Sequence, residues 1–196
     1  MVRAKQSRRD LILETSLRLF AAGDLQAVSM AEIAEAARIP VGSIYTYFKG
    51  KDALIHAVYL DARQRLQQAI LGTMPDGRDP KAAFTSVWTF LCRYHIDHPD
   101  DFLFAERFHA SPYFTDAIRA ADESLWRDLA TLFATAQKDG ILKPVPLDLF
   151  LPMLNGSLSA VIRNHIQGTR PVDDSDIAVV VALSWDAIAA RESSRS

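Results

Sequence analysis

Two groups of residues in this 196-residue chain have the types and spacing to do chemistry. The first is Ser43, Tyr45, Thr46 and Tyr47, followed by Lys49 and Lys51. Hydroxyls and ammonium groups set along one helix can donate to phosphate oxygens and reach base edges, which are the two requirements for gripping duplex DNA. The second is Glu106-Arg-Phe-His109, an E-x-x-H, with His95-Ile-Asp-His98 nearby. On facing helices these groups could hold a di-iron or zinc centre. A di-iron site needs a second E-x-x-H and two further glutamates, and the sequence has no second copy of the motif. It also has no glycine-rich phosphate loop and no metalloprotease motif, and Cys92 sits on an apolar face as a core residue would. Binding therefore outweighs catalysis, and neither a cofactor nor a resident metal is expected.

The hydroxyl-rich group must be presented by short helices. Ser29 followed three residues later by Glu32 has the pattern of a capping box, so a helix is expected from Met30, with Met30, Ile33, Ala34 and Ala37 on its apolar face. Ile39-Pro40 ends it, because a residue before proline is pushed out of the α region. A second helix over Val41 to Phe48 keeps Ile44 and Phe48 inside and turns Ser43, Tyr45, Thr46 and Tyr47 outward. Two short helices joined by a tight turn read as a helix-turn-helix. A preceding helix from Ser7 to Ala22, stopped by Gly23 in a left-handed cap, completes a three-helix head. Its expected core is Ile12, Leu19, Phe20, Val28, Ile33, Ala37, Ile44 and Phe48.

The run from Gly42 to Lys51, GSIYTYFKGK, resembles the recognition helix and following lysines of the tetracycline-repressor-like (TetR) family of bacterial regulators. Ile33-Ala34, Leu19-Phe20 and Gly23 extend the likeness over about the first 60 residues. The resemblance implies phosphate contacts from Ser29, Tyr47, Lys49 and Lys51, and a major-groove face made by Val41, Gly42, Ser43, Tyr45 and Thr46. Arg3, Lys5 and Arg8 would form an arm lying along the DNA backbone or entering a minor groove. Residues 41–48 contain no Arg, Lys, Asn or Gln, the side chains that make bidentate base contacts. Readout is therefore expected to lean on thymine-methyl contacts from Val41 and Thr46, hydrogen bonds from Ser43 and Tyr45, and DNA shape.

Charge agrees with that reading. Residues 1–51 carry eight basic and five acidic side chains, a balance of +3, whereas the remainder carries 14 and 19, a balance of −5. A positive head on a negative body offers one end to a polyanion. With 49% hydrophobic residues the chain can bury a real core. No stretch reads as a membrane span or signal peptide, and a single cysteine fits a reducing compartment, so the cytoplasm is expected.

Beyond the head, the pattern is helical throughout. A fourth helix, Lys51 to Leu71, leads to the Gly72–Pro80 loop, GTMPDGRDP. Helices follow over Pro80–His98, Phe102–His109 and Phe114–Asp139, the last closed by Gly140. Asp148 is expected to cap a helix reaching Gln167, with Pro152 in its opening turn, and a final helix spans Asp174–Arg191. The fold class is all-α, and the resemblance to the TetR family implies a helix-turn-helix DNA-binding head (1–51), a linking helix (52–71) and a helical ligand-binding and dimerisation body (80–192). Half of the 18 aromatic residues fall between positions 84 and 114.

The resemblance implies that this body encloses a pocket for a small-molecule effector, and Phe84, Trp88, Phe104, Phe108, Tyr113 and Trp126 are its expected lining. Arg93, Arg107, Arg163 or His165 could supply its polar handle. It also implies a homodimer formed by the last two helices, with Leu154, Leu158, Val161, Ile177, Val181, Ser184, Trp185 and Ile188 at the interface, although both stripes could instead pack internally. The expected function is a repressor that an effector releases from a palindromic operator. Two alternatives stay open: a metal-binding enzyme built on Glu106, His109, His95 and His98, and a protein-interaction module whose head no longer reads DNA.

Overall fold

The computed structural model describes residues 7–75 and 79–190. The described residues form two compact units, each all-α: residues up to Leu66 with His98–Leu125, and Gln67–Asp97 with the chain from Trp126 onward.

The first unit opens with α1 (Arg8–Ala22), whose N-terminus is capped by the Ser7 hydroxyl accepting from Asp10 N–H at 3.1 Å. Gly23 ends α1 in extended backbone, φ −126°, and not in the expected left-handed cap. Its N–H still bonds Leu19 O at 3.0 Å, so the turn needs no positive φ. α2 (Met30–Ala36) has the capping box: Ser29 Oγ accepts from Glu32 N–H at 3.2 Å, and Ser29 N–H donates to Glu32 Oε2 at 2.6 Å. These bonds from Ser29 hold the Glu32 carboxyl below its usual pKa.

The turn into α3 (Val41–Tyr47) shows what the sequence concealed. Arg38 N–H bonds Glu35 O and Ile39 N–H bonds Ala34 O, each at 3.0 Å, with Arg38 left-handed at φ 54°. This is a Schellman closure, so the chain reverses at Arg38, one residue ahead of the expected Ile39-Pro40 stop. Two later helices close in the same way but put Gly140 (φ 71°) and Gly168 (φ 70°) in that slot. An L side chain there pays a steric penalty that glycine avoids. Arg38→Gly is therefore expected to stabilise the head by about 0.5–1 kcal/mol, less than the full penalty because glycine also loosens the unfolded chain. Thermal unfolding checks this, and a lower midpoint would mean that the arginine side chain makes a compensating contact.

α4 (Lys51–Leu71) begins in this unit, which α6 (Pro99–His109) and α7 (Asp116–Leu125) complete. α6 starts at Pro99, earlier than expected, because proline is well suited to a first helical turn. It lies along α1: Phe104 stacks on Phe20 at 5.9 Å, and Arg107 Nη1 donates to Gly23 O at 2.7 Å. Against α4, Phe108 stacks on the buried Tyr59 ring at 4.1 Å, and the Tyr59 hydroxyl bonds His109 Nε2 at 2.8 Å. Burial raises the Tyr59 pKa. α7 is tied on by Arg63 Nε and Asp122 Oδ1 at 2.6 Å.

The second unit contains the end of α4, α5 (Pro80–Asp97), α8 (Arg127–Lys138), α9 (Leu147–Ile166) and α10 (Asp174–Ile188). The expected single helix over Phe114–Asp139 is thus two, broken at Trp126 (φ −103°, ψ 6°), which belongs to neither. α9 begins at Leu147 after Pro146, so Asp148 lies inside the first turn and is not its cap. Pro152 consequently falls beyond that opening turn, where the missing N–H leaves a gap in the helical ladder. The core is aromatic: Phe84 stacks on Trp88 at 4.3 Å, Phe133 meets both edge-on at 6.3 and 5.9 Å, and Trp185 lies 5.5 Å from Phe84. Arg191, expected to end α10, is outside the described residues.

Candidate nucleic-acid interface

In α3 Tyr45, Thr46 and Tyr47 face outward as the periodicity places them, whereas Ser43, also placed outward, is half-buried. Ile44 and Phe48 are buried, while Val41, Tyr45 and Tyr47 are 44%, 54% and 45% exposed. Three large apolar or aromatic side chains in water on one short helix are costly unless another surface covers them. Gly42 and Thr46 are exposed beside them and Ser43 is half-buried. A Cβ built on Gly42 meets nothing within 4 Å, so the backbone there is open to close approach. The Thr46 hydroxyl donates back to Gly42 O at 3.3 Å, which engages its proton and leaves its methyl group as the outward feature.

The cations are placed unevenly. Lys49 and Arg8 are exposed, whereas Lys51 Nζ donates to Gln26 O at 2.5 Å, which ties the start of α4 to the loop before α2. The exposed Ser29 hydroxyl accepts in the capping box and keeps its own proton for an acceptor outside. Arg3 and Lys5 lie outside the described residues. Periodicity missed Arg9, whose guanidinium carbon sits 5.7 Å above the Phe48 ring.

Residues 12–58 match the family model of bacterial regulatory proteins of the tetR family, and residues 80–189 match that of the tetracyclin repressor-like C-terminal domain. The chain belongs to the TetR family. It is an all-α helix-turn-helix transcriptional regulator.

A TetR family transcription regulator from Marinobacter aquaeolei superposes with a TM-score of 0.89 at 27% identity, covering 93% of this chain and 96% of that one. An HTH-type transcriptional regulator of Haemophilus influenzae is 28% identical over 165 residues, 81% of this chain and 84% of that protein. The HTH-type transcriptional repressor KstR of Rhodococcus jostii is 30% identical over 137 residues, 69% of this chain. The match spans 62% of KstR and 33% of YuxN from Bacillus subtilis, so these two relatives are covered only in part.

The TetR-type body departs from the sequence expectations in two places. The six aromatic residues expected to line one pocket divide between two cores: Phe104, Phe108 and Tyr113 belong to the first unit, and Phe84, Trp88 and Trp126 to the second. Of the expected polar handles, Arg93 pairs with Asp174 at 3.0 Å on the surface, Arg107 holds Gly23 O, and His165 Nδ1 accepts from Val172 N–H at 2.9 Å. Arg163 is exposed. The residues expected at the dimer interface turn inward. Leu154, Leu158, Ile177, Val181, Ser184, Trp185 and Ile188 are buried within the chain, and Val161 is half-buried. Trp185 is needed by the aromatic core around Phe84, which fixes the rotation of α10.

Left outside on α9 and α10 are Leu149, Met153, Val179 and Leu183, exposed by 65%, 54%, 58% and 64%. The metal alternative fares no better: His109 Nε2 is bonded to Tyr59, and among the described residues no three His, Cys, Asp or Glu side chains gather as ligands. Burial pushes the Cys92 thiol up to about 11, the mark of an inert core cysteine. Among the described residues no helix is long and apolar enough to cross a membrane.

Proposed function

We propose that this TetR-family regulator is a homodimeric repressor that leaves a palindromic operator when a small, partly apolar effector binds its body. The observation that carries the DNA reading is the exposure of Val41, Tyr45 and Tyr47 on α3, followed by the exposed Lys49 and held by the buried Ile44 and Phe48. Val41 and the Thr46 methyl would meet thymine methyls, and Ser43 and Tyr45 would hydrogen-bond base edges. Ser29, Tyr47, Lys49, Lys51 and Arg8 would bond phosphates.

Dimerisation is supported by the stripe that the fold leaves in water. Leu149, Met153, Gly156 and Ala160 recur along one exposed face of α9, and Val179, Ala182 and Leu183 along α10. Gly156 weakens a helix and nothing within this chain requires it, since an added Cβ would meet no atom within 4 Å. A partner helix approaching closely at that position would account for it. For the effector, the aromatic core of the second unit is the favoured place: the Trp88 indole N–H is buried there without an acceptor among the described residues. An effector that favours the conformation unsuited to DNA lowers operator affinity by its differential affinity, commonly ~1–3 kcal/mol. The repressor sense follows the relative KstR.

Two substitutions test the readout. Val41→Ala is expected to change which half-site bases are preferred, because it removes a base contact. Lys49→Ala is expected to weaken all sequences alike and to make binding less salt-dependent, by about 0.9 in the slope of log K against log salt for each head. Selection from random duplexes with each variant reads both effects. Uniform weakening from both would contradict the assignment of Val41.

A further inference from the structure

Arg9 lies in the first turn of α1, exposed, with its guanidinium carbon 5.7 Å from the centre of the Phe48 ring. Phe48 is the residue that closes α3, and it is buried in the core of the head. The residues on either side of it, Tyr47 and Lys49, point into solvent. Folding thus carries a cation from the far end of the head's sequence to Phe48 at the end of the recognition helix, whose sequence neighbours Tyr47 and Lys49 are already suited to phosphate.

Three features separate this arginine from an ordinary surface charge. No carboxylate pairs with it among the described residues, so its charge is uncompensated. No carbonyl or side chain of the described structure accepts from it either, so the five N–H donors of its fork remain available. The ring beneath it attracts the guanidinium and restrains the long side chain, so less conformational freedom is lost when an anion binds. A planar fork seated over an aromatic ring, with free donors, matches the two oxygens of a phosphodiester better than a point charge does.

We propose that Arg9 is a DNA-backbone contact, gripping a phosphate beside those bound by Tyr47 and Lys49 and positioned by Phe48. The assignment rests on the DNA reading above and adds to it a residue that α3 itself does not supply. Arg9 touches no base, so it contributes affinity and register without sequence preference.

The test uses the full chain and a duplex selected by the wild-type protein, with binding measured as a function of salt for wild type, Arg9→Gln and Arg9→Lys. Arg9→Gln keeps a long side chain over the ring but removes the charge. It is expected to make the slope of log K against log salt shallower by about 1.8 for two heads, and to leave the selected sequence and the thermal midpoint unchanged. Arg9→Lys is expected to retain the slope. A slope identical to wild type in Arg9→Gln overturns the contact and leaves Arg9 as a lid on Phe48. Absence of competitor-resistant binding by the wild type itself would instead overturn the DNA reading as a whole, so the two failures are told apart.

Discussion

Leu183→Glu is expected to turn the protein into a monomer and to lower its operator affinity by about 10²–10⁴-fold, the range that linking two binding modules supplies. Leu183 is already 64% exposed, so the substitution disturbs nothing inside the chain, and each copy should fold. Between copies the effect is expected to be large, because a dimer formed through the apolar stripe of α9 and α10 would bury the new carboxylate against apolar side chains. Size-exclusion chromatography with light scattering reads the assembly state, and DNA titration reads the affinity. A dimer that survives Leu183→Glu with unchanged operator binding would place the interface elsewhere.

Phe108→Ala is expected to destabilise the DNA-binding unit by ~3–5 kcal/mol, the usual cost of emptying a large aromatic site. That is a substantial part of the ~5–15 kcal/mol a domain has. Phe108 is fully buried, stacked on Tyr59 at 4.1 Å and within 5.8 Å of both Phe104 and Phe114. It therefore holds α6 to α4 while Phe104 and Arg107 hold α6 to α1. DNA binding should fail at temperatures where the wild type still binds, although α6 is remote in sequence from the helix-turn-helix. Amide hydrogen exchange should show α1 and α4 losing protection together. Unchanged protection of α1 in Phe108→Ala would mean that the head stands without α6.

The parts of this protein that sequence alone conveys are those fixed by near neighbours. The Ser29–Glu32 box and the inner face of α3, Ile44 and Phe48, each depend on residues within four positions, and the structure has both. What the sequence hides depends on contacts distant along the chain. Arg38 carries no signal of a left-handed turn, because glycine is the residue that advertises one. The break at Trp126 is silent because no Gly or Pro marks it and the apolar period runs across it. α9 and α10 are apolar on two faces, and periodicity cannot tell which face the chain will bury. Contacts from other helices choose it, Trp185 of α10 lying against Phe84 and Phe150 of α9 against Phe133. Likewise the aromatic residues from Phe84 to Phe114 are one group in sequence but two in space, because α5 and α6 join different units.

The central claim is that two copies of this head read one symmetric DNA site, and selection of binding duplexes from a random pool by the full-length protein tests it most directly. The expected product is a pseudo-palindrome whose half-sites lie about 34–36 Å apart or a multiple of that, with thymine-rich positions opposite Val41 and Thr46. A pool that shows no enrichment, or one that converges on a single half-site without symmetry, would contradict it.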